Sequence, residues 1–482
     1  MEIVNLNACC PGPRLATSRR EFLAKSGMGL GSIALTSLLA EEGLLKAASN
    51  NPLAAKKPSR NVPAKSVIFL FMAGGPSQVE TFDPKPLLNR LHGQPLPPSF
   101  GMVKTQLLTE KALILGCRRS FKKFGEAGVD ISDLFPHTAE CADDLAVIRS
   151  CHADSITHAP AMYQMNTGRV LMGFPSVGSW VTYGMGSESE NLPAFVVMTD
   201  PDGALTGGTP CWGSGFLPPV YQGTLFHPGP NPIFDLQSAS GRSRQRQRRS
   251  LDLLQQLNGL QQTAGDSLLE ARAASYELAF RMQAHAPEAV DITRETAETR
   301  KLYGVDEPRT DEFGRRCLLA RRLIERGVRF VQLYHGGGPG NLTWDAHNNV
   351  EENHKRMAGE SDKPVAGLLK DLRRRGLLDQ TLVIWAGEFG RTPMSQGKYG
   401  RDHSPFGFSV WMAGGGVKGG AIVGATDDLG LRATEQPHHV NDLHATILHL
   451  LGLDHFGLTY LHNGREERLS EAEGEVIEDV IA

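Results

Sequence analysis

The sequence predicts an α/β protein with a largely parallel central sheet flanked by helices. Three observations predict it. Apolar runs of strand length recur along the chain, glycine-rich or polar loops follow them, and helical patterns stand between several of them. Residues 66–71 (Ser-Val-Ile-Phe-Leu-Phe) are apolar almost throughout, as a strand buried on both faces must be. The runs at 145–148, 194–198, 328–334, 381–385 and 408–412 read the same way. Helical periodicity fills 311–326, 351–375 and 440–451. One segment breaks the rhythm. Residues 241–249 are strongly basic, and 251–301 are rich in Gln, Ala, Glu and Leu. This reads as a helical insertion, 241–301, within an α/β domain formed by 66–240 and 302–482.

Composition narrows the class further. The formal net charge is −3 over 482 residues, which gives no electrostatic case for binding nucleic acid. The arginines of 241–249 read as a solvated loop at a helix start. Cys117, Cys141, Cys151, Cys211 and Cys317 are scattered without a CxxC pair, so buried free thiols are expected. No run after the first fifty residues approaches the ~20 apolar residues of a membrane span.

The amino end has its own grammar. Ser18-Arg19-Arg20-Glu21-Phe22-Leu23-Ala24-Lys25 precedes a mildly apolar run that holds Gly27, Gly29 and Gly31. The run is too short and too glycine-rich for a span, and it ends in the small residues Ala47-Ala48-Ser49. The paired arginines resemble the bacterial twin-arginine export signal. Residues 1–49 therefore read as a leader cleaved somewhere between Ala40 and Ala55, and 50–65 as a Pro/Lys-rich linker. The resemblance implies the twin-arginine export machinery as a partner, a periplasmic or extracellular location, and a route that carries folded proteins with metals already in place.

Ligands of parallel sheets bind at the carboxyl ends of the strands, so the loops there are the places to search. After the first strand, Gly74-Gly75 leads to Glu80 and Asp83. The spacing is neither a Walker motif nor a dinucleotide fingerprint, and Asp83-Pro84 equally suits a turn. After 145–148, Pro160 suits the first turn of a helix and puts Thr157 and His158 at its amino end. After 328–334, Asp345 and His347 alternate, so an extended loop turns both to one side, half of a metal site. Glu388 and Arg391 follow 381–385, and a further loop carries Arg401, Asp402 and His403. Each signal is weak singly; together they place carboxylates and imidazoles on one rim. His438, His439, His444 and His449 lack the i,i+4 spacing of a helical zinc motif, and capping or surface roles are expected of them.

At these residues a family resemblance emerges. Residues 442–454 resemble the carboxyl-terminal helix of sulfatases and other alkaline-phosphatase superfamily members. Residues 381–390 resemble their metal-binding strand, with Glu388-Phe389 where Asp-His stands. Pro160, Thr167, Gly168 and Arg169 fall at the offsets of the sulfatase block that carries the modified cysteine. Across nearly its whole length the chain resembles the secreted DUF1501 family, through GGPS…TFDPKP, WDAHNN, GEFGRTP, GRDH and the final LGLDH. The resemblance implies an alkaline-phosphatase-like fold. The departures are chemical: His158 replaces the cysteine that becomes formylglycine, and Gly74-Gly75 replaces an Asp pair. A standard sulfatase mechanism is thereby excluded.

The expected site combines Asp345, His347, Glu388 and His403 as ligands of a divalent cation, Zn²⁺ or Mn²⁺, with Glu80 and Asp83 as nearby candidates. His158 is expected as general acid or base. Arg391, or Arg169, is expected to hold an anionic, small-molecule or carbohydrate ester. The corresponding function is metal-dependent hydrolysis of sulfate or phosphate esters. The alternative is a binding or scaffold protein that kept the fold and lost the metal centre.

Overall fold

Strand β1 (Ser66–Met72) is seven consecutive buried residues, and the sheet is built around it. The computed structural model describes residues 51–482 except 61, 104, 108–110, 230, 235, 237–242, 262–266, 339–341 and 471–473. The twin-arginine leader and the first two residues of the basic segment lie outside the described residues.

The other strands of the sheet are β2 (Leu145–His152), β3 (Phe195–Met198), β4 (Thr224–Phe226), β5 (Phe330–His335) and β6 (Thr381–Ala386). A separate hairpin follows, β7 (Gly390–Gln396) and β8 (Gly400–Ser404). The sheet resumes with β9 (Phe408–Ala413) and the short strands β10 (Ile422–Val423) and β11 (His438–His439). The spatial order is β10-β2-β9-β6-β1-β5-β3-β4, with β11 also on β2. All these pairings are parallel except those of β9, which runs antiparallel to β2 and β6.

That one reversal shapes the site. An antiparallel return needs no crossover helix, so the chain leaves β6 at the carboxyl rim, builds the β7–β8 hairpin, and re-enters the sheet as β9. Residues 400–404, expected as a loop, are thus a strand, because they pair with Gly390–Gln396.

Helices cover both faces. The principal ones are α1 (His158–Thr167), α2 (Val177–Met185), α3 (Arg244–Gln261), α4 (Ser267–Val290), α5 (Asp311–Ile324), α6 (Val350–Arg374) and α7 (Val440–Leu450). Alternation along β1 sorts the core into two layers. Ile68, Leu70 and Met72 join Phe313, Leu318, Leu368 and Leu372 of α5 and α6 on one face. Val67, Phe69 and Phe71 join Met162, Trp180, Leu443 and Ile447 of α1, α2 and α7 on the other. Each such fully buried side chain contributes about 1.5–3 kcal/mol, and the period of two is what lets one strand serve both layers.

The segment expected as a linker is tied down where it is described. Lys56 N–H donates to the Met185 carbonyl, Arg60 N–H to Gly452 and Lys65 N–H to Gln380, at 2.8, 3.2 and 2.8 Å. Backbone hydrogen bonds of this kind make it part of the domain. Helices α3 and α4 occupy most of 241–301. The cysteines Cys117, Cys141, Cys151, Cys211 and Cys317 are buried free thiols. No helix among the described residues is long and apolar enough to cross a membrane.

Candidate metal centre

Three adjacent strands, β5, β1 and β6, deliver their carboxyl ends to one place. The turn after β1 is Gly74-Gly75, both at positive φ, 108° and 76°. A Cβ on Gly75 would lie 2.6 Å from the Phe389 ring, and one on Gly74 2.7 Å from the Trp344 amide. Only glycine lets the backbone pass here. The Gly74 amide donates to both oxygens of Glu388, at 2.9 and 3.1 Å.

The loop after β5 carries Asp345 and His347, helix α1 begins at His158, and β8 carries His403. One donor atom each from His158, Asp345, His347 and His403 lies within 4.8 Å of the others. His158 Nε2 is 3.3 Å from Asp345 Oδ2. His347 Nε2 and His403 Nε2 are 3.0 and 3.2 Å from Asp345 Oδ1.

The opposite nitrogens fix the tautomers. His158 Nδ1 donates to Glu388 Oε1 at 2.7 Å. His403 Nδ1 donates to the Ile156 carbonyl at 2.8 Å. His347 Nδ1 donates to the Gln396 side-chain oxygen. An imidazole that donates from Nδ1 carries, when neutral, a lone pair on Nε2. Three lone pairs therefore converge on one carboxylate, acceptor against acceptor, unless a proton or a cation lies among them. His158 Nε2 is buried, with Asp345 Oδ2 at 3.3 Å as its polar neighbour.

Electrostatics agree with the geometry. Burial pulls the His158 pKa down, but the hydrogen bonds and charges of Asp345 and Glu388 outweigh it and push the ring up to about 9. His403 moves the other way, to about 4: burial leads, the bond to Asp345 opposes it, and Arg391 adds to the fall. Asp345 resists its own burial and stays well below the usual carboxylate range through the Arg391 charge and the bonds from the three histidines. The two histidine shifts have opposite signs in one small site, the arrangement typical of functional rather than purely structural positions.

Several expected residues take other places. Glu388, expected as a ligand, is outside the four-residue cluster and instead orients His158, because its oxygens face Nδ1 and the Gly74 amide. His158, expected as a separate proton carrier, is inside the cluster. Arg391, expected to hold an ester, is fully buried. It donates to the carbonyls of Gly74, Gly75 and Arg401 and to Asp345 Oδ1 at 2.7 Å, so its fork is spent on the protein itself. Arg169 lies over the Phe174 ring, 5.3 Å away, and outside the cluster. Glu80 is buried against Arg401 at 2.6 Å, and Asp83 pairs with Lys85 at 3.0 Å. Of the late histidines, His439 caps α7, but His444 is buried, bonded to the Met165 carbonyl at 2.8 Å.

The sequence reading missed Gln396, the Ile156 carbonyl, and Phe389, whose ring lies 5.0 Å from His158 and 4.5 Å from His403. Only Phe389 had a signal, its position beside Glu388. A backbone carbonyl leaves none.

Fold and cluster together define an α/β protein with a three-histidine, one-carboxylate centre at the carboxyl rim of a mostly parallel sheet. The chain belongs to the DUF1501 family, described as a protein of unknown function, whose sequence profile matches residues 64–481. No curated protein matches the chain. Among solved structures, it is similar to Ps i-CgsB in complex with k-i-k-neocarrahexaose, at 10% identity over 82% of this chain and 73% of that one, TM-score 0.38. It is similar to the PsFucS1 sulfatase from Pseudoalteromonas sp., at 13% identity over 92% and 72%, TM-score 0.34. The alkaline phosphatase of the Antarctic bacterium TAB5 matches at 11% identity over 82% and 99%, TM-score 0.32.

Proposed function

We propose that the protein is an exported, metal-dependent hydrolase of sulfate or phosphate esters, with one divalent cation, Zn²⁺ or Mn²⁺, held by His158, Asp345, His347 and His403. The observation that supports it is the convergence of the Nε2 atoms of His158, His347 and His403 on the one carboxylate of Asp345. Three imidazoles and a carboxylate are a donor set that suits Zn²⁺. Each imidazole also has an acceptor on its far nitrogen, in Glu388, Gln396 and Ile156, which sets tautomer and direction as metal-site histidines require.

A divalent cation held by these residues would supply water activation or polarisation of an ester oxygen if its coordination expanded beyond the four protein donors, or one donor gave way. The chain's own residues do the positioning. Arg391 fixes Asp345 and locks the Gly74-Gly75 turn, and that turn's amide holds Glu388 against His158. Beside the cluster lies a cavity of about 160 Å³ lined in part by His158, Asp345 and Glu388, a place for the substrate head group. The alternative, a binding or scaffold protein, draws support from the commitment of Arg391 to backbone carbonyls.

The test is elemental analysis of protein purified without chelator, with aryl-sulfate and aryl-phosphate turnover. One metal per chain is expected, lost with turnover in Asp345→Ala and His347→Ala. Folded protein that takes up no metal overturns the reading and leaves the binding role. Stoichiometric metal without turnover overturns the hydrolase alone.

A further inference from the structure

We infer that the cavity beside the cluster selects esters whose transferred group carries one negative charge, such as sulfate monoesters or phosphodiesters, over doubly charged phosphate monoesters. The inference rests on the metal-dependent reading above and names its substrate class.

The walls of the cavity carry it. They include Met162, Leu205, Thr206, Gly337 and Thr343 beside Asp345, and no lysine or arginine among the described residues. Most of that wall comes from Ala204–Thr206, Gly336–Gly338, Thr343 and Asp345, none of them basic. A doubly charged phosphoryl group is ordinarily matched by guanidinium forks or ammonium groups. Here the guanidinium bonded to the wall residue Asp345 is that of Arg391, fully buried with its donors spent on the protein itself.

The fixed charges set the limit. Arg391 pairs with Asp345 at 2.7 Å, and Arg316, behind the glycine loop, is shared by Asp200 at 3.1 Å and Glu312 at 2.5 Å. Asp345, Glu388, Asp200 and Glu312 against these two arginines leave a net negative charge that a divalent cation beside neutral histidines would only neutralise. The site then holds no surplus positive charge. Each anionic charge of a ligand beyond its contact with the cation would enter a half-enclosed cavity with apolar Met162 and Leu205 on its wall and no partner, so a doubly charged group is disfavoured over a singly charged one. At the separations of such a site a unit charge without a partner weakens binding roughly tenfold or more.

The experiment uses ligands that cannot be hydrolysed and differ in charge. Benzenesulfonate carries one negative charge, and phenylphosphonate carries two at about pH 8.5. Calorimetric titration of the zinc-loaded protein is expected to give benzenesulfonate at least about tenfold the affinity of phenylphosphonate. Thr206 is exposed on the cavity wall, and Thr206→Lys is expected to bring phenylphosphonate up by about tenfold and erase the preference. Equal or tighter phenylphosphonate binding to the unaltered protein overturns the inference and leaves the ester reading standing. Binding of neither ligand to protein with one metal per chain overturns both. Protein that cannot be loaded with zinc overturns the metal reading on which both stand.

Discussion

Arg391 and Arg401 stand on the two strands of one hairpin, both fully buried and both paired with a carboxylate, yet their surroundings differ in kind. Arg401 donates to both oxygens of Glu80 and to the carbonyls of Thr392, Pro393 and Leu115. Positive charge meets negative charge, and the remaining donors meet acceptors. Arg391 also donates to carbonyls and one carboxylate, but its partner Asp345 is crowded by three imidazole nitrogens as well. The first pair is closed. The second gathers three imidazoles on one carboxylate, more than pairing with Arg391 requires. Two buried ion pairs of the same chemistry can thus be told apart by what else faces the carboxylate.

The comparison breaks most visibly at its closed member. Arg401→Ala leaves Glu80 buried and unpaired, and the expected cost is about 3–5 kcal/mol in urea unfolding. The same change should leave metal uptake by the folded fraction at one per chain, because Arg401 touches none of the cluster's donor atoms. Loss of metal from folded Arg401→Ala protein would mean that the two pairs are one unit and the distinction is false.

The open member should show itself through pH. In metal-free protein the His158 pKa is raised, to about 9 from an ordinary 6.5. A raised histidine contributes stability that is fully present below the unfolded value and is lost as pH rises through the folded one. Metal-free protein should therefore lose up to about 3 kcal/mol between about pH 6.5 and 9 from this group. With a cation in place of the proton, that alkaline loss should shrink. Urea midpoints measured with and without metal across this window check it, and parallel curves would count against a cation taking the proton's place.

Much of this architecture was legible in the chain, and the reasons are physical. Strands buried on both faces must be apolar throughout, so β1, β5 and β6 announced themselves, and their loops followed from the rule for parallel sheets. Asp345, His347 and His403 could be singled out because alternation and rim position are sequence properties, and the fold brings their donor atoms together. The roles were harder. Whether Glu388 touches a metal or the back of His158 depends on a turn in which Gly74 offers its amide, and backbone amides have no letter in a sequence. Arg391 looked like an anion holder because exposure cannot be read locally; its burial comes from the glycine turn closing over it. Gln396 was invisible because the hairpin that aims it at His347 arises from the reversal of β9, a long-range pairing.

The finest test falls on that residue. Gln396 touches His347 only through Nδ1, and nothing places it among the cluster's donor atoms. If the imidazoles are aimed for a cation, removing the acceptor should loosen His347 and weaken the metal about 10–100-fold without unfolding the protein. Gln396→Ala should show this in competition with a chelator of known affinity. Gln396→Glu keeps an acceptor in place, adds a negative charge, and should restore affinity to at least the original. A merely structural glutamine would predict the reverse order, since the isosteric amide packs well and a half-buried carboxylate does not. Equal metal affinity in all three proteins would show that His347 needs no orienting partner, and would reduce the open cluster to one whose geometry the backbone alone maintains.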